Sequence, residues 1–140
     1  MANTGAVHVH GRLMCGNESL ANVPVSIFDK TTILRDAEWN SETTDEHGYF
    51  SISASGTSVF GVKPYFYAKY KCLKLGLDTC TSFLRITIPT DFISDTHNPH
   101  NTFNLHTLDL SKPFANDRNG LDFVTDFFSG SDQYRCGVWE

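Results

Sequence analysis

The sequence predicts an all-β antiparallel sandwich of seven or eight short strands, and three observations predict it. Apolar and polar residues alternate over short runs, as in "AVHVHGRLM" at 6–14. Helical periodicity is scarce through the first 110 residues. Turn signals separate the runs at the spacing of an antiparallel sandwich.

Each element follows in order. After 6–14, "GNESLAN" is a turn, and "VPVSIFD" at 23–29 is the next strand; Pro24 at its start suits an edge or a strand entry. "KTTILRDAEWNSE" reads as a longer irregular connection with a short strand near Trp39. In "TTDEHGYFSIS", Thr44 and Asp45 start a turn, and Gly48 takes a backbone angle that a side chain resists. Phe50 and Ile52 then share the core-facing side. "VKPYFYAKYKC", "SFLRITIP" and "TFNLHTLDL" complete the strands. The end differs. In "ANDRNGLDFVTDFFSG", Leu121, Val124 and Phe128 share one face, widened by Phe123 and Phe127, and predict a short helix over 119–128 that Gly130 can stop. So short a helix must dock on something.

The 140 residues suit a single domain, 1–140, with the sandwich over 5–110 and the helix and a Cys-bearing tail over 111–140. Eleven Phe and a 40% hydrophobic share fill one core and argue against a disordered chain. A net charge of −5 disfavours a nucleic-acid binder, which would show a basic stripe. No apolar run approaches the roughly 20 residues of a membrane span. "MANTGAVHVH" lacks the apolar core of a signal peptide.

Cys15, Cys72, Cys80 and Cys136 form no CxxC pair, so zinc and thioredoxin-type readings are weak, and disulfides are expected. Four cysteines allow three connectivities. Cys72 and Cys80 enclose a short loop that suits a local clip, which pairs Cys15 with Cys136 across the chain ends. Asn17-Glu18-Ser19 is a glycosylation sequon in a turn-like setting, in keeping with secretion.

Several ordered motifs resemble the nematode transthyretin-like family. "HGRLMCGNESLANVPVSIFDK" is similar to its opening Gly-x-Leu-x-Cys strand, small turn and Asn-Val-x-Val strand. "ETTDEHGYFSIS" is similar to its Thr-Asp-x-x-Gly-x-Phe strand, "KPYFYAKYKC" to its Pro-Tyr strand ending in Cys, "CTSFLRITIP" to its Cys strand ending in Ile-Pro, and "YRCGVWE" to its short tail. The resemblance implies a secreted, non-enzymatic prealbumin-like sandwich that needs no cofactor. One member of that family binds phosphatidylserine on apoptotic cells and bridges them to an engulfment receptor. This chain is similar to that member in the stretch inserted over 111–134 and in Tyr70-Lys71, where the family usually has His-Asp.

Strand geometry sorts the candidate site residues. Alternate residues share a face. Lys63, Tyr65, Tyr67, Lys69 and Lys71 therefore form one row, with Lys74 just beyond, while Phe66, Ala68, Tyr70 and Cys72 face the core. The row reads as an anionic-lipid site, lysines attracting a negative surface and tyrosines suiting the headgroup layer. It also reads as a solvated face whose lysines discourage edge pairing. Phe123, Phe127 and Trp139 are the candidate receptor contacts. Loop acids Asp29, Asp36, Asp45 and Glu46 invite a calcium site, yet they lack EF-hand spacing. His8 with His10, and His97 with His100, read as surface histidines without a metal.

A hydroxyisourate hydrolase, a relative of transthyretin, carries an N-terminal His, a mid-chain Arg and a Tyr-Arg-Gly-Ser end. Here His8 or His10, Arg85 and Tyr134-Arg135-Cys136-Gly137 are only superficially similar, because Cys136 interrupts the end motif. The expected role is thus a secreted adaptor, monomeric or homodimeric, that binds phosphatidylserine and a phagocyte receptor. The alternative is a carrier of a small hydrophobic ligand.

Overall fold

A computed structural model describes residues 3–31, 35–72, 81–111 and 132–134. The helix expected over 119–128 lies outside them, as do Lys74, Cys80, Phe123, Phe127, Cys136 and Trp139.

The described chain is all-β, in two sheets. In the first, β1 (Thr4–Cys15) is central. β5 (Tyr49–Thr57) pairs antiparallel with it, β8 (Thr102–Asp109) pairs parallel, and the two-residue β2 (Glu18–Ser19) folds back on its end. The second sheet has the order β4 (Ala37–Thr43), β3 (Pro24–Asp29), β6 (Pro64–Tyr70), β7 (Ser82–Thr87) and β9 (Asp132–Tyr134), all antiparallel. The sandwich expected from the alternation is present, with the parallel β1–β8 pair as its departure from a purely antiparallel plan.

Period-two alternation explains the core. Val7, Val9 and Leu13 of β1 and Phe50 and Ile52 of β5 face inward against Val25, Ile27, Phe66, Ala68, Leu84 and Ile86 of the other sheet. Phe50 and Phe66 stack across the interface with ring centroids 5.0 Å apart. The 44–48 turn aims β5. Asp45 Oδ1 accepts the N–H groups of His47 and Tyr49, both at 2.9 Å, and Gly48 sits at φ +85°. A Cβ at Gly48 would lie 2.4 Å from the Leu13 carbonyl oxygen, so the turn needs glycine on two counts. Thr44, buried just before it, donates to the Leu20 carbonyl at 2.6 Å and accepts from the Val23 N–H at 2.9 Å.

The disulfide pattern corrects the sequence reading. Cys15 bonds Cys72, with their Cα atoms 5.6 Å apart, so neither the Cys72–Cys80 clip nor the Cys15–Cys136 tie forms. The expectation weighed distance along the chain. The sandwich instead sets the end of β1 over the residue two past β6, and the bond joins one sheet to the other.

Candidate anionic-surface docking site

The β1–β5 register sets the geography of the molecule. Thr4 pairs with Thr57 and Arg12 with Tyr49, so the 58–63 connection and the 44–48 turn lie at opposite ends of the sandwich. At the first end, β5 runs out into Ser58, Val59, Phe60 and Gly61. The Gly61 N–H donates to the Ser58 carbonyl at 3.3 Å, and Gly61 adopts φ +93°, closing a tight turn. Val59 and Phe60 ride on its outside, 82% and 68% exposed. Adjacent large apolar side chains so bare are uncommon on a soluble surface and point to a contact.

Both flanks of this tip are basic. Lys30 and Lys63 are exposed, and their strand ends are tied together: the Lys30 N–H donates to the Lys63 carbonyl at 3.0 Å, and the Lys63 N–H donates to Asp29 Oδ1 at 2.7 Å. A cleft of about 450 Å³ lies between them, lined by Asp29, Lys30, Thr31, Ser58, Phe60 and Lys63 among others. Asp29 is buried; desolvation pushes its carboxyl above the ordinary aspartate range, opposed by the Lys63 N–H. The cleft thus offers two exposed lysines with an apolar tip beside it, while the Asp29 carboxyl is buried and taken by the Lys63 N–H.

The predicted lysine row is split by the fold. Phe66, Ala68 and Tyr70 do face the core. On the other face Tyr65 is only 7% exposed, stacks 5.7 Å from Phe28, and donates its hydroxyl to Asp36 Oδ2 at 2.7 Å. Burial and this bond to Asp36 push the Tyr65 phenol up to about 12. Tyr67 is half-buried between Phe28 and Phe83. Lys69 and Lys71 are exposed, but they lie toward the far end of the strand from Lys63, roughly 20 and 26 Å away at about 3.3 Å per residue. Nor do these lysines guard an edge, since β6 is paired on both sides.

Other candidates fall apart in the same way. Asp29 and the Asp45–Glu46 pair lie at opposite ends of the sandwich, and among the described residues no three His, Cys, Asp or Glu side chains gather to hold a metal. His8 and His10 stand on the outer face of the first sheet and Arg85 on the outer face of the second, so the hydrolase-like set is not assembled. Asn17 is exposed in the β1–β2 turn. Sequence reasoning missed Lys30, Val59 and Phe60; the signal was an apolar pair inside a turn, "SVFG", where polar residues are the rule.

Comparison with known proteins agrees with this architecture. A family model described as "TTR-52: Transthyretin-like family" matches residues 10–89, most of β1 through β7. The chain is 31% identical over 113 residues to transthyretin-like protein 1 of Caenorhabditis elegans, covering 76% of this chain and 72% of that one. It is 30% identical over 115 residues to transthyretin-like protein 33 of the same organism, covering 81% and 80%. With the matched segment taking in strands of both sheets, this chain belongs to the transthyretin-like family.

Proposed function

We propose that this chain is a secreted, non-enzymatic adaptor. It docks on phosphatidylserine-bearing membranes of apoptotic cells and presents a second surface to a phagocyte receptor. The observation that carries the reading is the bare Val59–Phe60 tip between Lys30 and Lys63. Apolar side chains enter the headgroup–acyl boundary while lysines draw an anionic surface. In the cleft beside the tip, Lys30 and Lys63 suit the phosphate and carboxylate of a phosphoserine headgroup. The Cys15–Cys72 bond is compatible with an extracellular protein.

Vesicle flotation tests this. Binding to vesicles of phosphatidylserine in phosphatidylcholine is expected, with weak binding to phosphatidylcholine alone and no change on chelating calcium. Equal flotation with both vesicle types would overturn the lipid assignment.

A further inference from the structure

At the other end of the sandwich, on the outer face of the first sheet, a concavity of about 510 Å³ is built from three strands. β1 supplies His10 and Arg12, β5 supplies Tyr49, β8 supplies Asn104 and His106, and the turn before β5 supplies Asp45, whose carboxylate is already taken up by the Tyr49 and His47 N–H groups and is stabilised by Arg12. We propose that it binds small planar carboxylates, with Arg12 as the anion anchor; this does not rest on the membrane reading above.

Arg12 is held in place before any ligand arrives. Its guanidinium lies 4.8 Å from the Tyr49 ring centroid, Nε donates to the His47 carbonyl at 2.8 Å, and Nη2 reaches Ser19 Oγ at 3.3 Å. These contacts use two of its five N–H groups. The Nη1–Nη2 edge keeps the forked donor pair that matches a carboxylate. A side chain fixed by three partners loses little freedom on binding. Tyr49, 51% exposed, gives the site an aromatic wall for a planar body.

β8 is shaped around the same place. The β1–β8 pairing slips between His10 and Arg12, leaving Leu105 and His106 opposite Gly11 alone. His106 adopts φ +57°, uncommon for a residue with a side chain, and its N–H is taken by Asn104 Oδ1 at 2.8 Å. Bulges of this kind re-aim side chains and gather at functional sites. A Cβ at Gly11 would lie 2.9 Å from the His106 carbonyl oxygen, so glycine is what lets the bulge sit against β1. The effect is to bring His106 and the Asn104 amide to the rim that Arg12 and His10 line.

Two-dimensional NMR titration of the full chain with benzoate, phenyl phosphate and benzyl alcohol tests the proposal. Benzoate is expected to give saturable shifts confined to the amides of 10–12, 49 and 104–107. Phenyl phosphate should be weaker and benzyl alcohol silent. Arg12→Gln should weaken benzoate at least about tenfold, the scale of a lost charge-assisted pair. If that variant fails to fold, His106→Gly serves, since glycine accepts φ +57° and removes only the imidazole; it should weaken benzoate severalfold. Equal shifts with benzyl alcohol, shifts spread over the surface, or unchanged affinity in both variants would overturn it. A stronger response to phenyl phosphate would also overturn the carboxylate assignment.

Discussion

Replacing Val59 and Phe60 together with serine removes the apolar half of the docking tip. Fully burying a Val or Phe side chain is worth about 1.5–3 kcal/mol. Scaled by exposures of 82% and 68%, the pair offers roughly 3 kcal/mol to a membrane that covers it. Insertion at the headgroup boundary is shallower than burial in a core. The expected loss in vesicle affinity is therefore about 10- to 100-fold. Lys30→Glu with Lys63→Glu removes the basic half, worth about 1 kcal/mol per lysine near an anionic leaflet. This end is not strongly basic overall. Asp91 and Asp95 are exposed on the segment that meets β1 where Ser94 bridges Ala6, so the apolar pair must supply most of the binding. Flotation on phosphatidylserine vesicles at low and high salt separates the halves, because salt screens the lysines and leaves the apolar contribution intact. The double serine variant should not lose stability, since both side chains project from the surface. The reasoning is refuted if the double serine protein floats like the parent, or if Lys69→Glu with Lys71→Glu, at the far end of β6, has the larger effect.

Two further outcomes bear on the frame. Burial raises the Asp29 carboxyl above its unfolded value, so the folded state holds its proton to higher pH, and stability falls as pH rises through that window. Asp29→Asn keeps an oxygen for the Lys63 N–H. It should flatten the pH dependence of urea unfolding and be more stable than the parent at neutral pH; an unchanged profile counts against the burial argument. Cys15→Ala with Cys72→Ala opens a cross-link spanning 57 residues and should cost about 4 kcal/mol on the chain-entropy scale. Peptide mapping without reductant should recover Cys15 and Cys72 in one linked fragment, and a linked Cys72–Cys80 fragment would contradict the fold.

Much of the frame was legible because each strand carries its own period. "YFSIS" faces Phe50 and Ile52 inward as its alternation requires, and Asp45 and Gly48 behave as turn chemistry dictates. The same period correctly put Phe66, Ala68 and Tyr70 in the core but said nothing of what lies over the opposite face. Tyr65 is claimed by Phe28 and Asp36, partners some 30 residues away, and no local pattern announces them. Cys15–Cys72 failed for a related reason: which strand ends meet is a property of two sheets stacked together. The Arg12 concavity depends on a register slip between strands 90 residues apart, and only Gly11 hinted at a close approach.

The distance between the two sites has a consequence of its own. Tyr49 and Thr57 bound β5, so the carboxylate concavity and the apolar tip stand roughly 26 Å apart along one strand, at about 3.3 Å per residue. That strand is paired to β1 along its whole length, and Phe50, Ile52 and Ala54 are locked in the core. Described residues between the sites therefore form a rigid ladder rather than a two-state element, and sites so separated normally act additively. Saturating benzoate should change vesicle affinity less than about twofold, within ordinary additivity error. Arg12→Gln should likewise float as the parent does. A change of fivefold or more would mean that the sites are coupled, and reciprocity then requires vesicles to shift benzoate binding by the same factor. That result would replace two independent docking surfaces with a membrane-gated ligand site, and the rigid ladder between them would have to contain a hinge.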